Sequence, residues 1–527
     1  MKALFEIDSQ YHAKGSVAFK WHPNGSFLAT CGGNRIVNIF NRQGVPQTSL
    51  PLEGTGKCLQ LEWDASGETL AILQSGSPIV KLWDSNQSLE SSLDTMMKDL
   101  TYLRWSSTKP LLAIGTAKGN LLLYDKRTLK KQSIMGKHSR RINAGAWNST
   151  NELALASDDK QVTISNEMGE TIIQHSLRAE PSHLRYHNHE DDHRDMRESL
   201  LSAVLGNKSI MVFDVSDPDT IRNALELTFA SSHGPIVSYE WSSPGCLTVG
   251  FESGFLSVEC CDIQQQTSVG VFDTRLFQGQ LASLAVSPLL SRAAACSGST
   301  VKVMQLGQGN DPGNYKELLD EQLQVATNGA NLEHIEWTAD GQILTLASDG
   351  GVVYNFLASL PVLAATHGAR YMYLTSLLEL SVFDSSNPEA PPMEVQISME
   401  PTFVALGPSH VAYGMNNHVL FHHLNAEAGC PLAKEKEYLG SVEAIKLNQD
   451  FVAVLSEGRV SLDSLAEDDG SGQNVISRTF PESREFKDVT CLAMTRDFLI
   501  YGTGRGIITM VYLPELATVC DFRHELP

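Results

Sequence analysis

The chain has 527 residues, 42% of them hydrophobic, and a formal net charge of −21. That length exceeds one ordinary domain and allows two, each with a sizeable core. The acidic balance argues against nonspecific binding to nucleic acid or an anionic membrane through the general field, so no nucleic-acid partner is expected.

In chain order, Met1 to Gln10 is too short and too polar for a secretion signal, and no apolar run approaches a membrane span. Nine cysteines are scattered with no C-x-x-C pair, which reads as reduced core thiols in a cytosolic compartment. Ala3 to Ile7 forms an early strand, placed to pair with the last blade of a ring and hide its edge. Trp21, Trp63, Trp105, Trp147, Trp241 and Trp337 then each end a short alternating stretch before a turn, spaced 42, 42, 42, 94 and 96 residues apart. A fixed period of this size marks a repeat array, and 94 and 96 imply two repeats without the tryptophan. Within a period, Leu103-Arg104-Trp105, Leu111 to Thr116, the Lys118-Gly119 turn and Leu121 to Asp125 read as short strands with period-2 alternation. Four such strands make one propeller blade, and the tryptophans are core residues.

Repeats fall near 12–54, 56–95, 98–138, 139–181, 182–231, 233–279 and 280–323, which predicts a closed seven-bladed propeller over 1–323. The polar stretch Gly307 to Asn314 reads as a linker. Trp337 opens a second, looser series, continued by Tyr371 to Asp384, Phe403 to Leu424, Val442 to Leu465 and Val489 to Leu513. That gives a partial second propeller of about five blades over 324–527, with truncation the favoured reading of its open edge. The alternative assigns the Trp337 unit to the first ring as an eighth blade and moves the junction to about residue 362. The fold class is all-β: tandem WD40-type β-propellers.

No catalytic set is expected. Asp158-Asp159-Lys160 reads as a tight turn, because consecutive strand-end residues point to opposite sides. His187, His189, Glu190, Asp191, Asp192 and His193 have metal-capable side chains but no zinc spacing, and read as a solvated loop. His193-Arg194-Asp195 matches a kinase loop only by letters. Gly502-Thr503-Gly504-Arg505-Gly506 is followed by a strand, so it reads as a hairpin turn rather than a phosphate cradle. No metal or cofactor is expected. One feature stands out as a partner-binding site: Lys126, Arg127, Lys130, Lys131, Lys137, Arg140 and Arg141 invert the local sign at one edge of the first disc. Acidic subunits, acidic cargo motifs or phosphoinositide headgroups are the expected ligands. His138, in a glycine-histidine step like that of WD repeats, is expected to be structural, donating to a buried aspartate or serine.

The phrases Gly115-Thr116-Ala117-Lys118-Gly119-Asn120-Leu121-Leu122, Tyr373-Leu374-Thr375-Ser376-Leu377-Leu378-Glu379, Gly414-Met415-Asn416-Asn417 and Asp497-Phe498-Leu499-Ile500-Tyr501-Gly502-Thr503 resemble, in order and spacing, the intraflagellar transport protein 144 family, also called WD repeat-containing protein 19. The resemblance covers Met1 to about His524. It implies two propellers followed by a helical-repeat region that this chain lacks. It also implies a non-enzymatic scaffold and cargo-adaptor subunit of intraflagellar transport complex A, acting in retrograde transport, cilium assembly and delivery of membrane proteins. The implied partners are other complex A subunits and ciliary membrane-protein cargo or its adaptor. The implied locations are the cilium, its base and the cytoplasm. The alternatives are another trafficking-coat propeller subunit, coatomer-like, and, last, a propeller enzyme.

Overall fold

The computed structural model describes residues 1–188, 198–217, 220–243, 245–263, 265–307, 314–425, 429–465, 477–482 and 488–523. The chain divides into two units, Met1–Ser359 and Leu360–Pro527. In both, the described residues form consecutive antiparallel sheets, each a meander of short strands.

Sheet 3 shows why these residues take this form. Its strands are Leu100–Trp105, Leu111–Thr116, Leu121–Asp125 and Lys130–Ile134. The second and third are almost wholly buried and read as continuous apolar runs, because both of their faces are covered by neighbouring sheets. The fourth is exposed and polar. Gly119, at φ 78°, makes the turn between the second and third strands. Successive strands run in opposite directions. The first and third turns of every sheet therefore lie on one face of the unit, and the second turns and the inter-sheet connections lie on the other.

Among its described residues the first unit holds eight sheets, not seven. The eighth consists of Leu332–Trp337, Ile343–Ser348 and Val353–Leu357, and its fourth strand is Lys2–Ile7 from the N-terminus. Lys2 pairs with Leu357 and Ile7 with Val353. The expected boundary at 323 is thereby corrected to 359, where the alternative eighth-blade reading had placed it within a few residues. The reason lies in sheet 7. Its third strand, Thr300–Gln305, is completed by two short pieces, Lys316–Glu317 and Leu323–Gln324, that arrive after the polar stretch. Residues 308–313 of that stretch lie outside the described residues; Thr300–Gln305 before them and Lys316–Glu317 after them pair in one sheet, so the domain junction does not fall there, and the edge left for the N-terminal strand is that of Val353–Leu357.

All six repeat tryptophans are buried. Five use the indole N–H to reach the neighbouring sheet: Trp63 to the Lys20 carbonyl, Trp147 to the Arg104 carbonyl, Trp241 to the Ser202 hydroxyl, Trp337 to the Ala285 carbonyl and Trp21 to the Thr345 hydroxyl. The last of these bonds joins sheet 1 to sheet 8. Such bonds satisfy a buried donor and couple each core to the next.

The second unit shows four sheets among the described residues, beginning at Ala364–His367, Phe403–Leu406, Val442–Leu447 and Val489–Met494. They carry the looser repeats expected from the sequence, without the Trp337 unit. A further correction concerns the cysteines. Cys246 and Cys260 face each other in register on adjacent strands and are joined as a disulfide, while the other seven are free.

Candidate functional site

The axis of the first unit is a channel of about 730 Å³ lined by first strands of the sheets. The residue just before the repeat tryptophan, or its replacement, lines it in six sheets: Lys20, Glu62, Arg185, Glu240, Ala285 and Glu336 in sheets 1, 2, 5, 6, 7 and 8; Arg104 and Ala146 hold the same position on the first strands of sheets 3 and 4. Lys20 pairs with Glu336 at 2.6 Å, Arg104 with Glu62 at 3.1 Å and Arg185 with Glu240 at 2.5 Å. Every charge in this girdle is matched by a neighbouring sheet. The two alanines fall where like charges would otherwise meet, Ala146 between Arg104 and Arg185 and Ala285 between Glu240 and Glu336. Glu336 raises the pKa of Lys20, and Glu62 that of Arg104. Burial lowers the pKa of His183 and His334 beside them, which holds both imidazoles neutral at physiological pH. The girdle is a set of closed ion pairs. It presents no nucleophile and base in contact, and no group of three or more metal-capable side chains occurs among the described residues.

The basic set read from the sequence is divided by the fold. Lys126 and Arg127 occupy the third turn of sheet 3, on the face of first and third turns; the Lys126 amide bonds the Pro110 carbonyl of the first turn. The Lys126 ammonium is taken up by Asp64 at 3.0 Å and Glu68 at 3.1 Å from sheet 2. Lys130 and Lys131 begin the exposed fourth strand at the same end, opposite Asp125 and Tyr124, and Lys131 also donates to the Asp94 carbonyl. Arg127 is exposed.

Arg140 and Arg141 lie on the opposite face, one strand length away, while the Lys137 side chain reaches the third turn of sheet 4. Five residues at about 3.3 Å each make that roughly 16 Å. Lys137 donates to the Gly169 carbonyl and the Thr171 hydroxyl, and burial lowers its pKa to about 8. Arg140 and Arg141 are exposed. The expected single patch is thus two, because a β-hairpin carries contiguous sequence from one face of the disc to the other. Lys126 belongs to an inter-sheet salt bridge.

His138 is structural, as its place in the repeat predicts. Its side chain has no solvent exposure. Nδ1–H donates to Asp159 at 3.1 Å, and Nε2 accepts from the Thr163 hydroxyl at 3.0 Å. Asp159 also accepts from the Ser139 amide at 2.9 Å. Asp158, Asp159 and Lys160 form the expected turn, with Lys160 at φ 63°. His187 stacks on Trp241, with ring centroids 4.3 Å apart and burial lowering its pKa to about 4. The remainder of that histidine and carboxylate cluster, and His193-Arg194-Asp195, lie outside the described residues. Gly502 to Gly506 is a hairpin turn between Phe498–Thr503 and Ile507–Tyr512.

Comparison with known proteins gives two family matches, the WDR19 first beta-propeller over residues 17–351 and the WDR19 second beta-propeller over 371–527. The chain belongs to the WD repeat-containing protein 19 family. The family's own boundary between propellers falls at the same place as the division at 359. The chain is 36% identical to WD repeat-containing protein 19 of Mus musculus and of Homo sapiens over all of its length. It is 27% identical to the WD repeat-containing protein dyf-2 of Caenorhabditis elegans over 98% of its length. It spans 38% of the length of each of these curated relatives. Among solved structures it is similar in fold to Saccharomyces cerevisiae Sqt1, with a TM-score of 0.55 at 16% identity over 68% of this chain and 99% of that one. A computationally designed protein, Ika8, gives 0.53 at 12% identity over 68% of this chain and 100% of that one.

Outside the expected basic set, Lys118, Lys160 and Lys208 are also exposed. They occupy the second turns of sheets 3, 4 and 5, so a lysine recurs at one turn of consecutive repeats.

Proposed function

We propose that this chain acts as a non-enzymatic scaffold and cargo-adaptor part of intraflagellar transport complex A, serving retrograde transport, cilium assembly and delivery of membrane proteins at the cilium and its base. The observation that carries this reading is membership of the WD repeat-containing protein 19 family along both propellers. A disc of interlocked sheets presents rigid, loop-built faces, which suit recognition of several partners. Arg140 and Arg141 on one face, and Arg127, Lys130 and Lys131 on the other, are the partner-binding residues, with complex A subunits, acidic cargo motifs or phosphoinositide headgroups as their ligands. The test is affinity purification of the tagged chain from ciliated cells with mass spectrometry of what accompanies it. Recovery of other complex A subunits is expected. Their absence would overturn the claim that the propellers carry an assembly contact.

A further inference from the structure

We infer that the face bearing Arg140 and Arg141 holds a linear track for an extended acidic peptide segment of a partner protein. This rests on the scaffold reading above and names the chemistry of one partner. The track is a row of loops joined by backbone bonds across three neighbouring sheets. The Ala117 amide bonds the Asp99 carbonyl, and the His138 amide bonds the Gly119 carbonyl. The Asp158 amide bonds the Arg141 carbonyl, the Leu177 amide bonds the Lys160 carbonyl, and the Gly206 amide bonds the Glu180 carbonyl. A Cβ at Gly119 would stand 2.1 Å from the His138 carbonyl oxygen and 2.7 Å from that of Arg140, so the loops are in close contact.

This row carries Lys98, Lys118, Arg140, Arg141, Lys160 and Lys208, all exposed. Its acids are four against these six cations: Asp99 and Glu180 are exposed, Asp158 accepts from Asn143, and Asp159 accepts from His138 and Ser139. In a chain of net charge −21 the row is a local inversion of sign. Range decides between a peptide and a membrane. Exposed charges act over about 8 Å at physiological salt, so a narrow peptide lying on the track meets chiefly these cations. A planar anionic membrane extends far beyond the row and meets the field of a chain of net charge −21, which opposes it. Met96 and Met135 are 87% and 71% exposed in the connections flanking sheet 3, and they offer soft apolar contacts alongside the charges. Lys118, Lys160 and Lys208 sit on equivalent turns of sheets stacked about 10 Å apart. An extended chain advances about 3.3 Å per residue, so the track selects acidic residues at roughly every third position.

The test uses the full chain and a fluorescent peptide of about twelve residues with aspartate at every third position, read by anisotropy. A second peptide of the same composition has its aspartates contiguous. The spaced peptide is expected to bind more tightly. Lys118→Glu, Lys160→Glu and Lys208→Glu together are expected to weaken binding at least about tenfold, since each exposed charge pair contributes modestly. The milder pair Lys160→Gln and Lys208→Gln, which guards against a folding defect, is expected to weaken it about threefold. Lys109→Gln, in the first turn of sheet 3 on the opposite face, leaves it unchanged. Equal binding by the triple variant, or by the contiguous peptide, overturns the proposal. So does track-dependent binding of phosphatidylcholine vesicles containing phosphatidylinositol bisphosphate in place of the peptide. Co-purification of complex A subunits is scored separately. Subunits recovered without peptide binding reject the track alone, and subunits lost from the unaltered chain as well reject the scaffold reading.

Discussion

Replacing His138 with alanine should loosen the loop row on which Arg140 and Arg141 sit, by an amount the geometry allows to be worked out. The imidazole is wholly enclosed. Its removal strands the Thr163 hydroxyl, in a residue only 1% exposed, which costs about 1–3 kcal/mol as an unsatisfied buried group. The vacated space adds about 1–2 kcal/mol. Asp159 keeps the Ser139 amide, so the total is roughly 3–4 kcal/mol. The melting entropy is about 2.1 cal/mol/K per residue, which over Met1–Ser359 gives about 0.75 kcal/mol/K and a predicted fall in melting temperature of about 5 °C. Differential scanning calorimetry measures the fall. Asp159→Ala alone and combined with His138→Ala completes a double-mutant cycle, in which a coupling of about 1–2 kcal/mol is expected. Amide exchange at Gly119 and Ser139 should rise in the His138 variant. A shift below about 1 °C with additive single effects would refute the reasoning, because it would mean the enclosed network carries no net stability.

Two further outcomes follow from titration. Burial lowers the pKa of His187 to about 4 from the ordinary value of 6.5. The folded chain thus takes up its proton later than the unfolded chain, and stability is full above pH 6.5 and lost as pH falls from 6.5 toward 4. The loss reaches at most about 3 kcal/mol, and His187→Phe, which keeps a ring against Trp241, should flatten the slope of denaturant stability against pH in that window; an unchanged slope argues against it. Lys137, whose pKa burial lowers to about 8, should show a midpoint near pH 8 in competitive acetylation with mass-spectrometric readout, and a midpoint above 10 contradicts its burial.

The blade architecture was legible because the first strands of six repeats carry a tryptophan that must be buried, and that requirement recurs at a nearly fixed interval or twice it. The boundary was not, for a reason specific to sheet 7. Two-residue strands such as Lys316–Glu317 and Leu323–Gln324 carry no periodicity, so the polar sequence before them resembled an interdomain linker. The pairing of Cys246 with Cys260 depends on hairpin register, which spacing alone does not fix. His138 was legible from its repeat position. The basic set was legible as charge but not as surface, since Lys130–Ile134 carries the chain from one face to the other between Lys126 and Arg140. The girdle escaped notice because its residues are one per repeat and pair only across sheets.

The eighth sheet has a bearing on how the chain is made. Lys2–Ile7 finds its partner, Val353–Leu357, only when about 350 further residues have left the ribosome. At about 5–20 residues per second, the first strand waits on the order of tens of seconds while seven sheets assemble behind it. During that interval Ile7, buried at 2% exposure in the finished unit, has no place to go. The nascent chain thus carries Lys2–Ile7 as an unpaired strand until Val353–Leu357 emerges, and over that interval its open edge can pair with other strands.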